Sequence, residues 1–259
     1  MALAKRFIHS LYHAPLKTGS EGISPFISGR TVDLLRSIQS ENIQRLNRLT
    51  VGTELSSLNL YQLLSRIHQD ASRALLQHLA GQAWNIEFFL NGLTGQPQEP
   101  HSALLKTMER DLGCLERMQE EFEDSALAMI ASGWTWLVRK KDGHLAIINT
   151  YNGGTPLFIN MRSSLEQSSS TLQGDLGKDN ESNTSDSFAD LFHLPNGPNH
   201  NAQPQTKDKV VDQNVSPVLG LSMWEHSYLL DYGLDRRQYV KNFWRSVNWN
   251  RAAIILNLY

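Results

Sequence analysis

Residues 219–232 read Leu219-Gly220-Leu221-Ser222-Met223-Trp224-Glu225-His226-Ser227-Tyr228-Leu229-Leu230-Asp231-Tyr232, an apolar run that breaks into an aromatic turn. The apolar part predicts a strand over about 217–222. The turn carries one carboxylate, Glu225, and one imidazole, His226, and helices fill about 225–231 and 236–258. Toward the N terminus, Trp134-Thr135-Trp136-Leu137-Val138 reads as a strand, Lys141-Asp142-Gly143 as a hairpin turn, and Leu145-Ala146-Ile147-Ile148-Asn149-Thr150 as the partner. Ahead of these the period is helical. Leu34, Leu35, Ile38, Ile43, Leu46 and Leu49 recur at helix spacing, and Leu60, Leu63, Leu64, Ile67, Ala71, Leu75, Leu76 and Leu79 fall on one face. Gly92, Gly95, Pro97 and Pro100 close the second stretch, so the two predict an antiparallel helical hairpin. Helices at about 101–113 and 116–131 follow, the first with a stripe of Leu104, Leu105, Met108 and Leu112. Helices, a small antiparallel sheet and helices again make an α+β fold, divided as a hairpin domain over 21–95 and an α/β C-terminal domain over 96–259.

The chain has 259 residues and a net charge of −2. That length supports a sizeable core, and the balance argues against a surface that binds nucleic acid all round while leaving room for one basic face. The single cysteine, Cys114, excludes an intrachain disulfide, points to a reducing compartment, and reads as a small buried hydrophobe. No apolar run reaches the ~18 residues that span a bilayer. Lys5, Arg6 and Lys17 precede the first acidic residue, Glu21, so residues 1–20 read as a mitochondrial presequence or an N-terminal extension. Residues 162–213 are rich in Ser, Asn, Gln, Asp, Gly and Pro, with eight acidic residues against four basic. Such a stretch buries too little to offset its ordering entropy and predicts a polar, disordered insertion between two strands. Phe188–Leu194 is its one apolar cluster, read as a stray patch in a solvated loop before a docking helix.

Several phrases, in order, resemble those of the iron/manganese superoxide dismutase family. Ser24-Pro25-Phe26-Ile27-Ser28-Gly29 with Thr31 resembles the opening of its first long helix, and Ala80-Gly81-Gln82-Ala83-Trp84-Asn85 its second-helix phrase. Ser132-Gly133-Trp134-Thr135-Trp136-Leu137, Asn149-Thr150-Tyr151-Asn152-Gly153-Gly154-Thr155-Pro156-Leu157, the Trp224-Glu225-His226 turn and Tyr239-Val240-Lys241-Asn242-Phe243-Trp244 complete the set. The resemblance implies the family's α+β fold. It also implies a single iron or manganese ion held by three His and one Asp. Here the matching positions hold Leu35, Ile86, Ser222 and His226, so only the last is retained. The funnel-lining His and Tyr fall near Gln39 and Ile43, and Gln82 matches the residue that bonds the metal's solvent. Leu and Ile have no lone pair, and one imidazole with a hydroxyl does not hold a redox ion. The expectation is therefore of no metal, no cofactor and no enzyme, with Gln82 a core hydrogen-bond partner and His226 a packing and hydrogen-bonding residue. His78 lies eight residues, or ~12 Å along a helix, from Ile86 and cannot replace it.

The resemblance further implies that Glu225 and His226 mark a dimer interface, because in the family this Glu reaches the ligand His of the other subunit. Among members without the ligands, the chain is similar to the dismutase-like small-subunit proteins of the fungal mitochondrial ribosome. That implies a structural role in the mitochondrial matrix, with a dismutase-like paralogue or a second copy as dimer partner, other mitochondrial ribosomal proteins as neighbours, and no membrane. Candidate rRNA contacts are Arg139, Lys140 and Lys141 at the hairpin tip and Arg236 and Arg237, with Lys241 and Arg245, on the C-terminal helix. A non-ribosomal interaction protein on the same fold and an active dismutase are the alternatives.

Overall fold

The structure, a computed structural model, describes residues 22–96, 98–158 and 215–258. The N-terminal extension at 1–20 and the insertion at 162–213 lie outside the described residues. Helix α1 (Gly29–Thr50) starts where Ser28 accepts a hydrogen bond from Thr31 N, and it buries Leu35, Gln39, Ile43 and Leu46 along one face. Asp231 ties this start to the far end of the chain, accepting from Ser28 N at 2.8 Å and Thr31 Oγ1 at 2.7 Å. The second predicted stretch is two helices, α2 (Leu60–Ile67) and α3 (Ala74–Asn91). They part because the Asp70 side chain accepts from Ser72 N and starts a new turn. Ala71 and Leu75, predicted on the buried face, are therefore exposed, as are Leu49 at the end of α1 and Leu105. Helices α4 (Ser102–Leu112) and α5 (Leu115–Leu127) follow. Cys114 is exposed rather than buried, and its Sγ caps α5 by accepting from Arg117 N.

Strands β1 (Gly133–Arg139), β2 (Leu145–Tyr151) and β3 (Ser216–Ser222) form one antiparallel sheet in the order β2-β1-β3. The C-terminal helical span is α6 (Leu229–Tyr232), α7 (Arg236–Phe243) and α8 (Trp249–Ile255), not one helix. Its break is built: Thr94 N donates to Ser246 O, Asn248 N donates to Gly92 O, and Asn248 then caps α8. This joins the end of α3 to the chain terminus. The architecture is α+β with a small three-stranded antiparallel sheet, as expected. Among the described residues no helix is long and apolar enough to cross a membrane.

The axis of the fold is α3. Leu79, Ala80, Ala83, Ile86, Phe88, Phe89 and Leu90 are buried on several sides of it, because α1, α2 and β3 all pack on it. Gly81 lets it meet the 152–154 turn backbone to backbone: a Cβ there would lie 1.9 Å from Gly153 O. Gly153 faces back the same way, its own Cβ position 2.3 Å from His78 O. Neither partner is a flexible side-chain end, so Gly81→Ala is expected to cost about 1–3 kcal/mol in overpacking. Gly95→Ala, with nothing within 4 Å, is the control. Equal urea midpoints for the two variants would contradict the close contact.

Candidate functional site

The four positions of the implied centre sit on four elements that meet. Helix α1 packs on α3, α3 on β3, and the 225–227 turn on α1. Leu35, Ile86 and Ser222 are each 0% exposed. Two of the three thus add only hydrocarbon to the interior. The Ser222 hydroxyl shares a 2.6 Å hydrogen bond with Ser227 Oγ, and Trp224 N approaches it at 3.4 Å. A serine satisfied by another serine holds no net charge to offer a cation.

Polar groups around these positions mostly pair within the chain. Trp134 Nε1 donates to Gln82 Oε1 at 3.2 Å, so Gln82 makes the expected core hydrogen bond. Gln39 donates to Ala83 O and Glu87 Oε2, while Ile43 joins an apolar cluster with Leu46, Leu63 and Leu64. Trp136 Nε1 donates to Thr150 Oγ1, which passes its own proton to Gly154 O. Asn85 Nδ2 also donates to Gly154 O, leaving its Oδ1 buried without a partner in the chain.

His226 is the retained position. Its ring stacks on Trp224 with centroids 5.3 Å apart, and Trp224 Nε1 donates to Asn152 O. The packing role is thus present, but Nε2 is buried without a hydrogen-bond partner in the chain. Burial pushes this imidazole down to about 4, against a smaller upward pull from Glu225. It is neutral at pH 7. Glu225 is exposed and accepts from Ser132 Oγ at 2.7 Å, which with lesser contributions holds its carboxyl below the usual range.

The donor set does not fit the family's ion. Leu35 and Ile86 offer no lone pair, and among the described residues no group of three His, Cys, Asp or Glu could hold a metal. His78 is turned to the edge of Trp224.

The iron/manganese superoxide dismutase C-terminal domain model matches residues 100–167 and 167–254. The chain belongs to the iron/manganese superoxide dismutase family. An iron superoxide dismutase of Bordetella pertussis is 29% identical over 241 residues, covering 92% of this chain and 95% of the relative. Those of Photobacterium leiognathi and Salmonella typhimurium are each 26% identical, covering 88% and 92% of this chain. The expectation that the chain is no enzyme is corrected by these relatives, which match it over most of its length and are all named superoxide dismutases. An enzyme family is the finding, and it stands beside the dismutase positions that hold Leu35, Ile86 and Ser222.

The predicted basic residues fall in two places. Lys140 pairs with Asp142 at 3.3 Å, Lys141 is exposed, and Arg139 donates to Leu256 O. Arg236 turns inward and donates to the carbonyls of Ala126 and Met129, while Arg237 is exposed.

One group had no flag in the sequence. Asp111, at the end of α4, has its side chain only 1% exposed. It accepts from Arg110 Nε at 2.6 Å, Arg110 NH2 at 2.7 Å, His144 Nδ1 at 2.8 Å and Leu145 N at 2.8 Å. The Arg110 hydrogen bonds, then Leu145 N and His144, hold this carboxyl well below the usual carboxylate range. An Arg-Asp pair on a helix and a distant His give no spacing signal, because only the fold brings them together.

Proposed function

We propose that this chain is a structural component of the mitochondrial small ribosomal subunit that docks through a dimer surface around Glu225, against a second copy or a dismutase-like paralogue. The observation that carries the reading is the open apolar surface beside that turn. Ile130 is 97% exposed and Leu234 89%, with Leu229 and Leu230 about half exposed. Ser132, two residues from Ile130, bonds Glu225, and Arg236, two from Leu234, bonds Met129 O, so these residues adjoin. Large apolar side chains grouped around a charged pair make a contact surface rather than a solvated one. The interior supports the same reading, since the dismutase positions on α1 and α3 are filled by Leu35 and Ile86. So do the basic opening before Glu21 and the long polar insertion.

Co-sedimentation of the native protein with mitochondrial small subunits tests the role. A chain that stays wholly in the soluble fraction would overturn it. The dimer surface has its own test. Ile130→Asp with Leu234→Asp is expected to weaken self-association or paralogue binding at least tenfold, because an unpaired carboxylate buried in a contact costs more than the ~1.4 kcal/mol that tenfold represents. Both side chains are exposed, so the fold is kept. Sedimentation velocity reads the result, and unchanged association would sink the surface.

Superoxide dismutation is the second reading, favoured by the names of the relatives. Iron or manganese content and superoxide consumption of the purified chain test it together. Stoichiometric metal with a dismutase rate establishes the activity, and neither would remove it.

A further inference from the structure

We infer that the tip of the β1–β2 hairpin, locked onto the end of α4, is a preorganised cationic ledge for the phosphate backbone of RNA. It rests on the ribosomal reading only for which RNA is met. Asp111 is the lock. Its buried carboxylate binds the Leu145 amide and the His144 ring from the hairpin and the Arg110 guanidinium from its own helix. Arg110 NH2 also donates to Gly143 O at 3.0 Å, laying the guanidinium across the turn. Inside the turn, Gly143 N bonds Lys140 O and His144 N bonds Asp142 Oδ1. Lys140 and Lys141 therefore project from a fixed frame.

Charge is sorted by depth here. Asp111 is hidden while the side chains of Arg110 and His144 are each about half exposed, at 54% and 53%. Lys106, one turn before Arg110 on α4, is exposed as well. Against Lys106, Arg110, Lys140 and Lys141, the outward acids of the same segments are Glu109 and Asp142, and Asp142 is paired with Lys140. A ledge of this kind attracts a chain of phosphates by charge and counterion release, with no base reading. A fixed frame spares the ordering cost that a free loop incurs on binding. The Arg236 cluster is the weaker candidate because its guanidinium is spent on two backbone carbonyls.

The test uses the full chain and a fluorescein-labelled, mixed-sequence single-stranded RNA of about 20 nucleotides, titrated between about 50 and 200 mM salt, a range over which phosphate contacts show their salt slope. K140Q/K141Q is expected to bind about tenfold more weakly at the low salt and to flatten the slope of log affinity against log salt by about two. R45Q/R48Q, with the same charge change at the other end of the fold, is expected to bind like the wild type. Equal losses in the two variants, no loss in the first, or tighter wild-type binding to phosphatidylserine vesicles than to RNA would overturn the ledge. Co-sedimentation separates this from the ribosomal role. A chain that sediments with small subunits while K140Q/K141Q binds RNA normally loses the ledge and keeps the role. One that binds RNA through the lysines and does not sediment loses the role and keeps the ledge.

Discussion

Asp111→Ala is expected to lower the folding free energy by about 2–4 kcal/mol, far more than a change in a surface ion pair. The reason lies in what the carboxylate leaves behind. Leu145 is buried, and its amide would lose its acceptor, which costs about 1–3 kcal/mol. Arg110 and His144 add about 1 kcal/mol more, a discounted figure because both are half exposed and screened. With typical stabilities of about 5–15 kcal/mol, the loss is large. Asp111→Asn keeps the shape and should cost less, and it has a pH signature. The carboxyl is held below its ordinary value of 3.8 in the folded chain. The unfolded state therefore binds a proton first as pH falls. The contribution is complete above that value and is lost as pH drops below it. Urea midpoints across the acid range should fall less steeply in Asp111→Asn than in the wild type. The same acid slope in both would show that Asp111 stabilises nothing.

Leu35→His with Ile86→His and Ser222→Asp should produce a chain whose stability depends on metal. Without metal, three polar or charged groups enter positions that are 0% exposed. Each unpaired buried polar group costs about 1–3 kcal/mol, so together they approach the whole stability of an ordinary domain. His226 Nε2, already buried and unpartnered, would be the fourth donor. Manganese at about 1,000 times its dissociation constant would return about 4 kcal/mol, or roughly 8–16 °C in melting temperature for a chain of this size. The wild-type chain, with fewer donors, should gain much less. Thermal melts with and without manganese, with bound metal counted after dialysis, read this without any assay of turnover. An equal response in the two proteins would mean that these positions do not frame the site.

The α+β order was legible because α1, the hairpin and β3 each have a period that burial respects. The Gln82 hydrogen bond in the core was likewise anticipated. Hydrophobicity misled where a short polar side chain intervened. Asp70 and Asn248 each cap a new helix inside a span that reads as continuous, and local capping outweighs a periodic pattern that runs through it. Cys114 went the same way, its thiol recruited to a helix start that composition does not mark. At the site, residue identities could be read but not their partners. That Ser222 pairs with Ser227, that Arg236 faces inward and that Asp111 gathers two segments are consequences of tertiary placement, with no period or motif to announce them.

The bare contact between Gly81 and Gly153 reaches further than packing. It pins the turn whose neighbouring carbonyl, that of Asn152, takes the indole proton of Trp224, and that indole is the plate against which the His226 ring lies. The imidazole is thus aimed from behind, by a chain of supports that never enters the centre. Side chains could be exchanged in front of it without turning the ring, so the frame can outlast whatever the centre once held or now holds.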